Sequence, residues 1–179
     1  MRPRTVAICI WVTCMTLQPV ADGEMPKYEP KAHDDAVVTA GKARFTVLTG
    51  NLIRMEWSAD GVFEDRASLT FVNRRLPVPE FSSEIADGVV LIRTEALRLR
   101  YKISDQKFNI DNLRITFDTG GRSGNWKPGT PNKTNLQGTY RTLDAISGGA
   151  NLEKGLLSRN GWTLIDDSQR VLFDNSDWP

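Results

Sequence analysis

Two adjacent aspartates, Asp166 and Asp167, close a stretch that opens with the indole of Trp162, and Arg141 stands three residues ahead of Asp144. These are the materials of sugar recognition: indole faces stack on pyranose rings, while Asp and Arg exchange hydrogen bonds with hydroxyls. The same groups have a plainer use, in which Arg141 with Asp144, and Asp167 with Ser168, brace loops through hydrogen bonds. Retaining glycoside hydrolysis needs two carboxyl groups about 5–5.5 Å apart, flanking the scissile bond. Asp166 and Asp167 do not supply that pair, because successive side chains on a strand point to opposite faces. No catalytic residue is assigned.

Other chemistries are poorly provided for. His33 is the sole histidine, which removes most zinc and serine-triad sites at once. His33 with Asp34 and Asp35 reads as a solvated loop, since one imidazole and two adjacent carboxylates form no preorganised metal cage. Neither a metal nor a cofactor is expected. Gly120 to Gly138 is rich in glycine and proline but lacks the Gly-Lys-Ser/Thr ending of a phosphate-binding loop. It carries Trp126, and a long loop with a large aromatic packs against something or binds something. With 23 basic and 22 acidic side chains the formal net charge is +1. No long-range field draws such a chain to nucleic acid or to an anionic membrane.

The elements that must position these residues are short strands. At 179 residues the chain amounts to one domain with little to spare. Arg2 and Arg4 precede an apolar run from Thr5 to Leu17, too short to span a bilayer, with small residues at Ala21 and Gly23. Residues 1–23 therefore read as a secretory signal peptide, and a secreted or periplasmic product is expected, not membrane-bound once mature. Both cysteines, Cys9 and Cys14, fall inside that run, so the mature domain rests on its core alone. Residues 24–36 read as a linker or loosely tethered lead-in.

From Val37 the period is two. Phe45, Val47, Ile53, Met55 and Trp57 alternate with Thr46, Arg54 and Glu56, as they do when one sheet face is buried. Thr49-Gly50-Asn51, Asp60-Gly61 and Asp87-Gly88 supply turns. Leu69 to Val72, Val89 to Arg93, Leu97 to Tyr101 and Leu113 to Phe117 give further strands. Trp162 to Leu164 begins another. Leu91 to Lys102 contains good helix formers, but strict alternation at Leu97, Leu99 and Tyr101 decides for strand. The fold class expected is all-β, an antiparallel sandwich. Arg54, Arg98, Arg100 and Arg114 read as its solvated outer face, with Glu56, Asp65 and Glu95 nearby.

The most distinctive wording is Asn135-Leu-Gln-Gly-Thr-Tyr-Arg-Thr-Leu-Asp144, then Gly155-Leu-Leu-Ser-Arg-Asn-Gly-Trp162, then Ile165-Asp-Asp-Ser168 and Asp177-Trp178. It resembles the N-terminal region of glycoside hydrolase family 31, the α-glucosidase and α-xylosidase family. Gly50-Asn-Leu-Ile-Arg-Met-Glu-Trp57 and Phe63-Glu-Asp-Arg66 look like the opening strands of that family's N-terminal sandwich. The resemblance implies that residues 37–179 are a galactose-mutarotase-like sandwich, incomplete at its C-terminal end, ahead of a (β/α)8 catalytic barrel that this chain does not contain. The family's catalytic acids lie on that barrel, so none is carried over. By resemblance the partners are α-linked sugars and the parent's own barrel. The residues shaping the sugar subsite are Arg141 with Asp144, or Asp166 or Asp167 with Trp162. The alternative is a stand-alone carbohydrate-binding sandwich that uses Trp126 and Trp162 as platforms and performs no chemistry.

Overall fold

The structure is a computed structural model that describes residues 28–138, 147–149 and 151–173. The leader expected over residues 1–23 lies outside the described residues, as do Arg141 and Asp144. A single 3-10 turn, Asp34–Ala36, precedes eight strands among the described residues. These are β1 (Val37–Ala40), β2 (Ala43–Thr49), β3 (Leu52–Trp57), β4 (Ser82–Ala86), β5 (Val89–Arg93), β6 (Leu97–Lys102), β7 (Leu113–Asp118) and β8 (Ser123–Trp126). They form a three-stranded sheet, β1-β2-β3, and a five-stranded sheet, β4-β5-β6-β7-β8. Every pairing is antiparallel. The chain is an all-β sandwich, as its alternation predicts.

The core lies between the sheets. Val38, Ala40, Ala43, Phe45 and Val47 come from the smaller sheet. Val90, Ile92, Leu99, Tyr101, Leu113 and Trp126 come from the larger one. The ring of Tyr101 meets Phe45 at 5.4 Å and Phe108 edge-on at 5.4 Å, which fixes how the layers sit at that point. Asp87 and Gly88 both have positive φ, +50° and +72°, the conformation that a two-residue hairpin loop requires. The Thr94 hydroxyl ties the sheets together at one end by donating to the Gly50 carbonyl at 2.6 Å.

Several segments differ from expectation. Leu69–Val72 is not a strand; a bridge between Ser68 and Leu172 is what remains of pairing there. Trp162–Leu164 is not a strand either. In contrast β4 carries no apolar alternation and every one of its residues is exposed; the tight turn folds it onto β5. The glycine-rich stretch after Gly120 contributes β8, and Trp126 is 7% exposed within the core. Trp126 therefore packs, and it is no platform for a sugar. Residues 28–36 lie against the sandwich and are not loosely tethered. Ala32 and Ala36 are buried, and the Glu29 carbonyl accepts from the N–H groups of Arg74 and Arg75 at 2.7 and 3.1 Å.

Replacing Phe45, fully buried at the ring cluster, with alanine is expected to cost about 3–5 kcal/mol. Chemical denaturation of the two proteins measures it.

Candidate functional site

The polar face of β2 and β3 holds the densest chemistry. Register places Arg44 opposite Glu56 and Thr46 opposite Arg54, all pointing away from the core. That face is not bathed in water, because residues 63–74 and the lead-in cover it. Arg44 grips Glu56 with two bonds, Nε to Oε2 at 2.7 Å and Nη2 to Oε1 at 3.0 Å. Its Nη1 reaches Asp65 at 2.7 Å, and the Phe63 ring lies 4.7 Å from its Cζ. Arg54 Nη2 shares the same Glu56 carboxylate at 2.8 Å and donates to the Glu64 carbonyl at 2.8 Å.

Arg74 sits beside this cluster and is 2% exposed. Its Nη1 donates to the carbonyls of Pro30 at 3.2 Å and Arg66 at 3.0 Å. Its Nη2 stands 4.0 Å from Asp167 Oδ2, and Asp167 Oδ2 accepts from the Ser68 hydroxyl at 2.6 Å. A cavity of about 230 Å³ is lined by Arg44, Arg54 and Arg74 together with Asp65, Thr46 and Phe63.

The electrostatics follow from burial. Desolvation pulls Arg54 down to about 10, with Arg74 and Arg44 adding to the fall and Glu56 opposing it. Arg54 stays charged at neutral pH. Desolvation likewise lowers Arg74, against the pull of Asp167. Burial works against Arg44 too, yet Glu56 and Asp65 outweigh it and the pKa rises. The cluster has three guanidinium groups and three facing carboxylates, Glu56, Asp65 and Asp167. It is a self-neutralised knot whose pairing clamps loops onto a sheet.

Of the site residues singled out in the sequence, the described ones, Trp162, Asp166 and Asp167, do not meet at one site. Asp167 accepts from Ser68 and faces Arg74, both remote from it in sequence. Asp166 is exposed and accepts from the hydroxyl and the N–H of Ser168, which hold its carboxyl below the usual range. Trp162 is half-buried against the core, and its carbonyl accepts from Asn132 at 2.9 Å. The bracing expected of Asp167 is present, with Ser68 as partner in place of Ser168. The two aspartates serve different partners and form no acid pair across a bond.

Sequence reasoning missed Arg74, which stands in a run of Asn73, Arg74 and Arg75 with no alternation to mark it. It also missed a groove of about 570 Å³ where Gly50, Pro79, Glu80, Phe81 and Glu95 come together. Its lining includes two carboxylates, Glu80 and Glu95, and the Phe81 side chain. Among the described residues no three His, Cys, Asp or Glu side chains gather as metal ligands. No protein-family model matches the chain, and no curated protein matches it.

Asp167→Ala removes the acceptor of the Ser68 hydroxyl and the carboxylate 4.0 Å from the buried Arg74 guanidinium, and is expected to cost about 1–3 kcal/mol. Asp166→Ala, at an exposed position, is expected to stay within about 0.5–1 kcal/mol. Chemical denaturation separates the two. A second expectation concerns acid. Hydrogen bonds from the Arg66 side chain hold Glu64 at about 2, below its ordinary 4.5. A depressed carboxyl pKa stabilises the fold above the unfolded value and ceases to do so as pH falls through the folded one. Stability should therefore decline between pH 4.5 and 2, and less steeply in Glu64→Gln. The effect is modest, because the side chain is 37% exposed.

Proposed function

We propose that the chain is the non-catalytic β-sandwich of an exported α-glycoside hydrolase resembling family 31, supporting a (β/α)8 barrel and helping to shape the sugar subsite at its mouth. The observation that carries this reading is an apolar surface on the very segment whose wording resembles the family. Leu156 and Leu157 are 68% and 69% exposed, and Leu136, whose N–H bonds to the Leu157 carbonyl, is exposed as well, as are Leu164 and Val171 further along the segment. Exposure alone would be ordinary.

The backbone beneath these side chains is pinned. Asn135 Nδ2 donates to the Gly155 carbonyl at 2.9 Å, and Asn135 Oδ1 accepts from the Gly155 N–H at 2.8 Å. The Leu136 N–H donates to the Leu157 carbonyl at 2.9 Å. A Cβ on Gly155 would stand 2.5 Å from the Gln137 carbonyl oxygen, so only glycine fits this contact. Apolar groups held outward by an ordered backbone are the making of a docking surface.

In this reading hydrolysis belongs to acids on the barrel, and the chain contributes packing and recognition. With Asp167 committed to Ser68 and Arg74, and Asp166 to Ser168, the wording around Arg141 and Asp144 is the remaining candidate for touching sugar. A second reading, a stand-alone carbohydrate-binding module, draws on the Glu80–Phe81–Glu95 groove. Titration with maltose or xylose oligomers in a calorimeter tests it, and no heat of binding at millimolar sugar removes it.

Reading the coding sequence onward from codon 179 tests the first reading. Barrel sequence, in this frame or another, supports it, and unrelated sequence removes it. The purified chain is expected to turn over no aryl α-glucoside. It is also expected to self-associate, and the double substitution Leu156→Asp with Leu157→Asp should return it to a monomer in sedimentation velocity without lowering its melting temperature. Hydrolysis abolished by changing one of the chain's own aspartates would overturn the assignment.

A further inference from the structure

The geometry points to the outer face of the five-stranded sheet as a binding surface for an acidic polysaccharide, whose carboxylates would be taken by Arg93, Arg98, Arg100 and Arg114. Neither the apolar patch nor the family resemblance enters this assignment. Register sets the face. Val90, Ile92, Leu99, Tyr101 and Leu113 turn into the core, so alternation sends these four arginines and Lys102 outward. All five are exposed.

Arg93 stands directly opposite Arg98, and Arg100 directly opposite Arg114. Like charges in facing positions on neighbouring strands destabilise a sheet. None of the five cations has an ion pair among the described residues. The acids that balance them along the sequence are elsewhere in space. Glu56 and Asp65 are bound to Arg44 and Arg54 on the other sheet, and Glu95 lines the groove beside Gly50. Two acids share the outer face, Glu84 on the edge strand opposite Leu91 and Asp118 at the end of β7, against the five cations. A near-neutral chain thus presents one strongly basic face.

The composition of the face selects the ligand class. One row crosses all five strands: Ser82, Arg93, Arg98, Thr116 and Asn125. Hydroxyl and amide groups flank two guanidinium groups there, with neighbours about 4.8 Å apart across the strands. Guanidinium groups take carboxylates in two-pronged, charge-assisted hydrogen bonds, and the flanking groups suit sugar hydroxyls. The aromatic residues of these strands, Tyr101, Phe117 and Trp126, are all buried. Base stacking, the main contact to single-stranded nucleic acid, has no platform on this face. A flat sheet also offers no helix to enter a major groove.

Binding of the full chain to immobilised polygalacturonate tests the proposal, with dextran as a neutral control and a DNA duplex in parallel. Salt-sensitive binding to polygalacturonate and none to dextran are expected. Arg98→Gln combined with Arg114→Gln should weaken binding about tenfold, the loss of charge-assisted hydrogen bonds. Each of these positions is exposed; Arg114 faces Arg100 and Arg98 lies next to Arg93, so the melting temperature of the variant should hold or rise. Three results overturn the proposal: no binding by the folded chain, undiminished binding by the variant, or DNA bound as tightly as polygalacturonate.

Discussion

A buried guanidinium is the constraint on which the arrangement of this protein turns. Arg74 is shut away from water, and a charge in that position must be matched by facing dipoles or by an opposite charge. Its partners are the Arg66 carbonyl of its own loop and, from two distant stretches, the carbonyl of Pro30 and the carboxylate of Asp167. Around this one side chain, whose Nη1 alone is hydrogen-bonded, the lead-in, the loop after β3 and the C-terminal segment meet on the same sheet. With its main-chain N–H bound to Glu29, Arg74 is fixed from both backbone and side chain. The three-stranded sheet becomes a middle layer, with apolar core on one side and a layer of loops on the other.

That layering divides the charge of the molecule. Arg44 and Arg54 sit between a sheet and a loop layer, where an unpaired cation would be costly, and Glu56 and Asp65 are held there with them. The five-stranded sheet has an open outer face, on which cations keep their hydration and need no partner. A balance that is close to neutral over the whole chain is thus uneven locally. Charge counted along a sequence says little about the field at any one surface.

The C-terminal segment is built on another plan. Among its described residues isolated bridges, Asn135 to Ser158 and Gly138 to Glu153, stand in for strands. The rest is done by short polar side chains that bond to backbone, Asn132 to Trp162 and Asn135 to Gly155 among them. Such side chains compete with regular ladders and favour turns. A segment ordered in this way can present leucines outward without collapsing onto them.

Alternation read along the chain located β2, β3, β5, β6 and β7, because a period of two is a property of each strand by itself and needs no knowledge of neighbours. The Asp87-Gly88 turn was legible for the same reason, since positive φ at both residues is a local demand. The strands β4 and β8 were not legible. Ser-Ser-Glu-Ile-Ala and Ser-Gly-Asn-Trp have no face of their own and are strands because a neighbour offers free N–H and C=O groups. Leu69–Val72 had the composition of a strand and found no partner to make it one. The same division holds for the candidate site. Asp166, Asp167 and Trp162 stood out by type, but whether an acid braces or binds depends on what lies opposite. For Asp167 the opposite groups are Ser68 and Arg74, remote in sequence. The amino-acid order by itself determined the all-β class, because side-chain alternation is local. Only the tertiary structure decided which polar face is buried and which stays in water, because burial is a relation between segments that meet only in the folded chain.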